Sequence, residues 1–212
     1  MKISIIKRTF TAYKIIGNNF KIWVSPIMTA IILLSLKSIV FITMILDKIV
    51  YPKVNSYKIS KPIIIVGNPR SGTTFLHRYL IKSKIGSGGE LWKLLYPSIV
   101  LQKLVKPFLP ILEKISPTRH HSTVAHKTSL QSIETDDASI FFRFFDGFFL
   151  YGFIMSWAKE DLFHWFDPKI RDTSKRDYSW LYSIWSRILI DSKNDRYIGK
   201  LFSVSTNVPG FL

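Results

Sequence analysis

Hydrophobic and polar positions divide the chain into three stretches. Residues 1–21 mix basic and apolar side chains and form a basic N-terminal segment. Residues 22–47 carry one charge before Asp47, Lys37, in the run "IWVSPIMTAIILLSLKSIVFITMIL". From Pro62 onward the pattern becomes strand, loop and helix, and residues 50–212 read as an α/β domain. No internal repeat or low-complexity tract interrupts it.

The apolar run is long enough to cross a bilayer, which takes roughly 20 residues. On the insertion scale a central lysine costs about 3 kcal/mol, while each Leu, Ile, Val or Phe contributes roughly −0.3 to −0.6 kcal/mol. The dozen such residues between Ile27 and Leu46 outweigh Lys37. At 100° per residue, Thr29, Ser35, Lys37, Ser38 and Thr43 scatter around the whole wheel, unlike the single polar face of a surface helix. The pattern favours a spanning or deeply inserted helix. The alternative is a helix buried against the domain. A cleaved signal peptide is disfavoured, because the run starts late, is too long and lacks a small-residue cleavage site. Both flanks are basic, so charge does not fix an orientation.

In "KPIIIVGNPRSGTTFLHRYLIK", Pro62 to Val66 form a short continuous apolar run, which predicts a central parallel strand buried on both faces. Gly67 ends it. The helix that follows carries Phe75, Leu76, Tyr79 and Leu80 on one side, which predicts that this side is buried. Further on, the Phe-rich run "ASIFFRFFDGFFLYGFIMSW" reads as a buried helix or one lining an apolar cleft, with Arg143 and Asp146 spaced to pair. Glu134, Asp136 and Asp137 precede that run and read as first-turn helix acids, with capping the expected role and a ligand contact the alternative. Trp180, Ile184, Trp185 and Ile188 recur at helical spacing and predict a core face.

Charge narrows the partners. Thirty Lys and Arg against 14 Asp and Glu give a net charge of +16, which favours nucleic acid, anionic lipid, or phosphorylated and sulfated small molecules. There is no cysteine, which excludes disulfides and cysteine–metal sites.

The glycine loop feeding a helix is an anion site, because backbone N–H groups converge there and the helix dipole adds positive potential. Gly67, Gly72 and Thr74 match the spacing of the phosphate-binding loop of NTPases, but Thr73 stands where the lysine belongs. In an NTPase that lysine reaches the β/γ-phosphates. Its loss argues against ATP or GTP hydrolysis. Arg70 offers a planar fork in its place, and Ser71, Thr73 and Thr74 offer hydroxyls, without an obvious magnesium requirement.

These residues carry a resemblance. "PIIIVGNPRSGTTFLHRYL" resembles the 5′-phosphosulfate loop of sulfotransferases that use 3′-phosphoadenosine 5′-phosphosulfate (PAPS), of the bacterial type, and is similar also to that of protein-tyrosine sulfotransferases. Weaker similarity runs on through "GGELWKLLYPSIVLQKL" and "HKTSLQSIETDDASIFF" to "DRYIGK". The resemblance implies a three-layer α/β/α fold with a parallel sheet, like the P-loop nucleotide kinases, here preceded by an apolar N-terminal helix. It implies that Asn68, Pro69, Arg70, Ser71, Gly72, Thr73 and Thr74 hold the PAPS 5′-phosphosulfate, with no metal. It implies transfer of a sulfuryl group to a hydroxyl or similar acceptor, small or lipid-like, and no nucleic acid. Membrane association is the partner expectation carried by the apolar run. In a bacterial host PAPS is made in the cytosol, so the domain would face the cytoplasm; in a eukaryote it would face the Golgi lumen.

Such chemistry needs a base for the acceptor proton and positive charge at the transferring group. Glu90, in a Gly-Glu pair like that of the tyrosylprotein branch, is the first candidate base; an ordinary helix-start acid is the alternative. His126, with His120 and His121 nearby, is the rival. Lys200 matches a lysine that ends a strand near the active site in the family; a solvated basic turn is the alternative. His77 reads as packing. The family continues with a strand bearing an Arg and a Ser for the 3′-phosphate, and no such strand precedes Leu212, so the chain reads as truncated. Two other readings stay open: a P-loop-like phosphotransferase or nucleotide-binding protein, and a non-catalytic membrane protein that keeps the loop as an anion-binding scaffold.

Overall fold

The computed structural model describes residues 3–116 and 128–211. His120, His121 and His126 fall outside the described residues.

The basic N-terminal segment is a helix, α1 (Ile5–Phe20), opened by the Ser4 hydroxyl accepting from the Lys7 N–H at 3.2 Å. Its inner face is Arg8, Ala12 and Ile15, which meets Leu150, Tyr151, Met155 and Trp165. Arg8 hid this helix from the sequence pattern, since a charge stands where the buried face begins. The guanidinium lies inside because it donates to the carbonyls of Ile3, Phe144 and Phe145 at 2.6, 3.0 and 3.0 Å.

Lys21 closes α1 in the left-handed region at φ 59°, and α2 (Val24–Val50) follows. At 27 residues it is long and apolar enough to cross a membrane. It runs past Asp47, where the apolar pattern stops, because Asp47 is wholly buried in the domain. Ser35, Ser38 and Thr43 donate to carbonyls four residues back, at 3.1, 3.0 and 2.8 Å, so these hydroxyls need no outside partner. The less exposed positions, 26, 30, 33, 36, 37, 40, 43, 44 and 47, share one side. Leu36, Lys37 and Val40 line a small gap whose other wall includes Leu94, Leu95, Phe142 and Trp180.

β1 (Ile63–Val66) leads through the glycine loop into α3 (Thr73–Lys82). Three short helices, α4 (Leu91–Leu95), α5 (Ile99–Val105) and α6 (Leu109–Ile115), come next. The Phe-rich run is not one helix. It divides into α7 (Asp137–Phe144) and α8 (Phe148–Phe153), whose axes meet at 85° across Phe145 at φ 48° and Gly147 at φ 78°. Phe145 ends α7 in the left-handed region, and Gly147, at a positive φ with extended ψ that glycine adopts without strain, starts α8. Arg143 does not pair with Asp146. It stacks on Trp180 at 5.0 Å, while Asp146 takes Arg8, Arg171 and Arg176.

α9 (Ser174–Ser192) and β2 (Ile198–Leu201) complete the core, with the single turn α10 (Val208–Phe211) after them. β1 and β2 are parallel, Ile63 opposite Ile198 and Ile65 opposite Lys200. On the other edge of β2, Ser87 bridges Tyr197 in parallel. The fold is thus α/β with a small parallel sheet. β2 is buried at all four positions, whereas in β1 only Ile65 is buried, which corrects the expectation of a strand covered on both faces. Leu181, Ile184, Trp185, Ile188 and Leu189 of α9 pack on Tyr197 and Leu201; Trp180 is only half-buried. Each fully buried Leu or Ile contributes about 1.5–3 kcal/mol.

Candidate active site

The loop from Gly67 to Gly72 starts two residues beyond the buried Ile65 and ends in a helix start that no described side chain caps. Gly72 stands at φ 79°, which glycine adopts without strain. Arg70 stands at φ 65°, an uncommon conformation for a side chain of its size. The Ser71 hydroxyl donates to the Asn68 carbonyl at 2.6 Å and tightens the turn. Asn68 to Gly72 are exposed, Thr74 is half-buried and Thr73 is buried. The first-turn N–H groups of α3 have no intrahelical partner by geometry, so they face the loop with the dipole's positive end behind them.

Lys200 meets this loop. Parallel pairing sets it beside Ile65, and its ammonium donates to the Thr74 hydroxyl at 2.9 Å while the residue is 3% exposed. Burial pulls its pKa down, against the opposing pull of Glu134 and Asp137. The ammonium also lies 5.0 Å from the Phe202 ring centre.

The acids after residue 133 hold Lys200 in place. Asp136 accepts from the Lys200 N–H at 2.8 Å, the Trp185 indole at 3.0 Å and the Tyr197 hydroxyl at 2.6 Å. Burial pushes its pKa up to about 6, against the lowering effect of those donors. Asp137 accepts from the N–H groups of Phe202 and Ser203 at 2.7 and 2.9 Å, and the Thr135 hydroxyl donates to the Lys200 carbonyl at 2.9 Å. Asp136 and Asp137 do open α7, as expected, at its N-cap position and in its first turn; the capping role is corrected, because neither side chain caps the helix and both turn to the end of β2. Glu134 accepts from Arg78 of α3 at 2.9 Å and from Ser132 at 2.8 Å.

Glu90 is half-buried at the start of α4 and bridges Ile133 in antiparallel fashion, so it stands next to Glu134 in the chain pairing. Its carboxylate accepts from the Trp92 indole. His77 is wholly buried, with Nε2 2.9 Å from the Ile198 carbonyl and Nδ1 without a partner among the described residues. Burial drops its pKa to about 4, so the ring is neutral. Sequence reasoning missed Arg78 and the grip of Asp136 and Asp137 on β2. Those bonds link residues 64 to 66 positions apart, beyond any local pattern.

Beyond Phe202 a cavity of about 290 Å³ opens. Phe148, Tyr151, Phe166 and Phe211 give it aromatic walls, and Ser203, Ser205, Asp172 and Asn207 line its polar part. Arg171 faces it from the Asp146 group. Burial would raise the Asp146 carboxyl, but Arg171, Arg176 and Arg8 together hold it below the usual range.

Among solved structures the chain is similar to the sulfotransferase STF1 from Mycobacterium tuberculosis H37Rv, with 18% identity and a TM-score of 0.66. The match covers 97% of this chain and 56% of that one, so the chain spans little more than half the length of this solved relative. No family model matches the sequence, and no curated protein matches it. The chain has a sulfotransferase-like fold.

Proposed function

We propose that the chain is a sulfotransferase, or the N-terminal and middle part of one, that moves a sulfuryl group from PAPS to a hydroxyl acceptor. One observation carries this reading most: a buried lysine on the strand beside β1 reaches the second threonine of a glycine loop that lacks the NTPase lysine. The loop fits a compact oxyanion. Its helix start is uncapped, Arg70 is exposed above it, and Lys200 supplies charge from the side. When bound, the donor supplies an electrophilic sulfuryl group. Asn68 to Thr74 would hold its 5′ end, Lys200 would balance charge on the departing side, and Glu90 would take the acceptor proton. His126 remains the second candidate base.

In this reading the parallel sheet is the middle of a three-layer α/β/α domain over residues 50–212. The cavity beyond Phe202 takes the acceptor, and its aromatic walls with hydroxyl lining suit a lipid-like or amphiphilic alcohol rather than a nucleic acid. Residues 1–21 and 22–47 attach the domain to a membrane, with the domain on the cytoplasmic side if the source is bacterial.

Calorimetry with 3′-phosphoadenosine 5′-phosphate tests the donor. The full chain should bind it without magnesium, and Arg70→Ala should weaken binding by about tenfold or more, the size of a lost charge-assisted hydrogen bond. Failure of the wild-type chain to bind would remove PAPS as its donor.

A further inference from the structure

We propose that α2 lies along the membrane surface, half embedded, instead of crossing it, so that the N-terminal segment and the domain face the same aqueous side. This rests on the membrane attachment proposed above and specifies its geometry.

Both ends of α2 are fastened to one domain. Just before its start, the Asn19 amide donates to the Trp157 carbonyl at 3.2 Å, and the Phe20 and Trp157 rings meet at 5.2 Å. The corner between the helices is fixed by Trp23, which folds back on α1: its ring lies so close to Gly17 that a Cβ there would come within 2.3 Å of it. At the far end, Asp47 accepts from Arg187 at 2.8 Å and from Ser98 at 2.9 Å, all of them buried. Midway, Leu36 and Val40 line one small gap with Leu94 and Trp180, so this side of α2 faces the domain.

A 27-residue helix is about 40 Å long, and the hydrocarbon core is about 30 Å thick. If α2 crossed it, Asn19 and Asp47 would stand on opposite sides. The domain that holds both would then have to pass through the bilayer, carrying Asp146 and its three arginines towards hydrocarbon. Lying in the plane removes this conflict. The inward side rests on the domain, and the outward side, with Ile27, Ile31, Ile42 and Ile49 each about half exposed or more, faces acyl chains. α1 continues the surface with Ile6 and Phe10, at 77% and 56% exposure. Lys21, just before α2, and Lys48, in its last turn, are both exposed. A spanning helix calls for a basic excess at one end; an in-plane helix over anionic lipid is served by both.

The absence of cysteine makes labelling clean. Asn18→Cys, Lys82→Cys and Ile42→Cys are each introduced singly into the full chain and probed in sealed membrane vesicles with a membrane-impermeant maleimide. Asn18, Ile42 and Lys82, the last at the end of α3, are all exposed. The first two variants should label from the same side, and Ile42→Cys, with Ile31→Cys as its duplicate, should label only after detergent. Labelling of Asn18→Cys and Lys82→Cys from opposite sides would overturn the proposal while leaving membrane attachment intact. Release of the chain by alkaline carbonate, with all four sites open, would remove the attachment itself. Disulfide crosslinking of Ile42→Cys between copies, with the site shielded in detergent micelles too, would replace lipid by a second copy as the occupant.

Discussion

Single residues carry the charge logic of the site. Asp136 and His77 are both buried beside β2, and their pKa values move so that both favour the neutral form. For His77 the folded value of about 4 lies below the ordinary 6.5. Between those values the unfolded chain binds a proton that the folded chain refuses, so this contribution is fully present above pH 6.5 and is lost as pH falls towards 4. Asp136 acts with the opposite sign: with a folded value of about 6 against an ordinary 3.8, it binds its proton more readily when folded, so its contribution grows as pH falls through that window. A His77→Leu variant separates the two. Urea unfolding should show wild type losing stability relative to the variant between pH 7 and pH 5, by about 2 kcal/mol, since a tenfold change in proton affinity is worth about 1.4 kcal/mol. A pH-independent gap would mean that His77 titrates normally.

At this scale the loop was legible because its chemistry is local: glycine spacing, hydroxyls and an arginine within eight residues. The acids at 134–137 were only half legible, for the opposite reason: Asp136 and Asp137 do start α7, but their side chains do not cap it. Their position before an apolar run has the signature of a helix start, and nothing nearby reveals that two of them turn to strand residues some 65 positions later.

At the scale of elements, α3 shows how periodicity can name the wrong face. Phe75, Leu76 and Tyr79 form an apolar row, yet they are 77%, 45% and 57% exposed. The loop and the sheet set the rotation of α3 by turning Thr73 and His77 inward, and the aromatic row follows wherever that leaves it. Phe75 and Tyr79 stack on each other with ring centres 6.2 Å apart. Phe75→Ser and Tyr79→Ser should each change unfolding free energy by under about 0.5 kcal/mol, whereas Ile184→Ala in α9, wholly buried, should cost about 3 kcal/mol. Thermal unfolding of the three variants side by side checks this, and a large loss at Phe75 would restore the sequence expectation. The helical core face of α9 was legible because aromatic and branched residues there recur at helical spacing. α1 was not, because Arg8 occupies its inner face.

At the scale of the whole molecule, the joint between α2 and the rest rests on a buried ion pair. Asp47 is 0% and Arg187 2% exposed, and Asp47 also accepts the N–H groups of Ile99 and Val100 at 3.1 and 3.0 Å. Breaking a pair of this kind strands a charge and costs about 3–5 kcal/mol. Asp47→Asn or Arg187→Met alone should therefore loosen the joint strongly, and the double variant should recover part of the loss. Limited proteolysis in the segment between α2 and β1 reads this out: faster cleavage in the single variants than in the double one is expected, and equal rates would mean that the pair contributes nothing.

That pair also fixes an order of events during synthesis. Asp47 and Arg187 lie 140 residues apart in the chain. At roughly 5–20 residues per second, the ribosome finishes α2 roughly 7–28 seconds before the arginine exists. For that interval the apolar helix has no domain to rest on, and under the proposed membrane attachment lipid would be the surface it meets first. Its carboxylate waits as a latch without a catch, and the domain closes onto a helix that has already chosen its solvent.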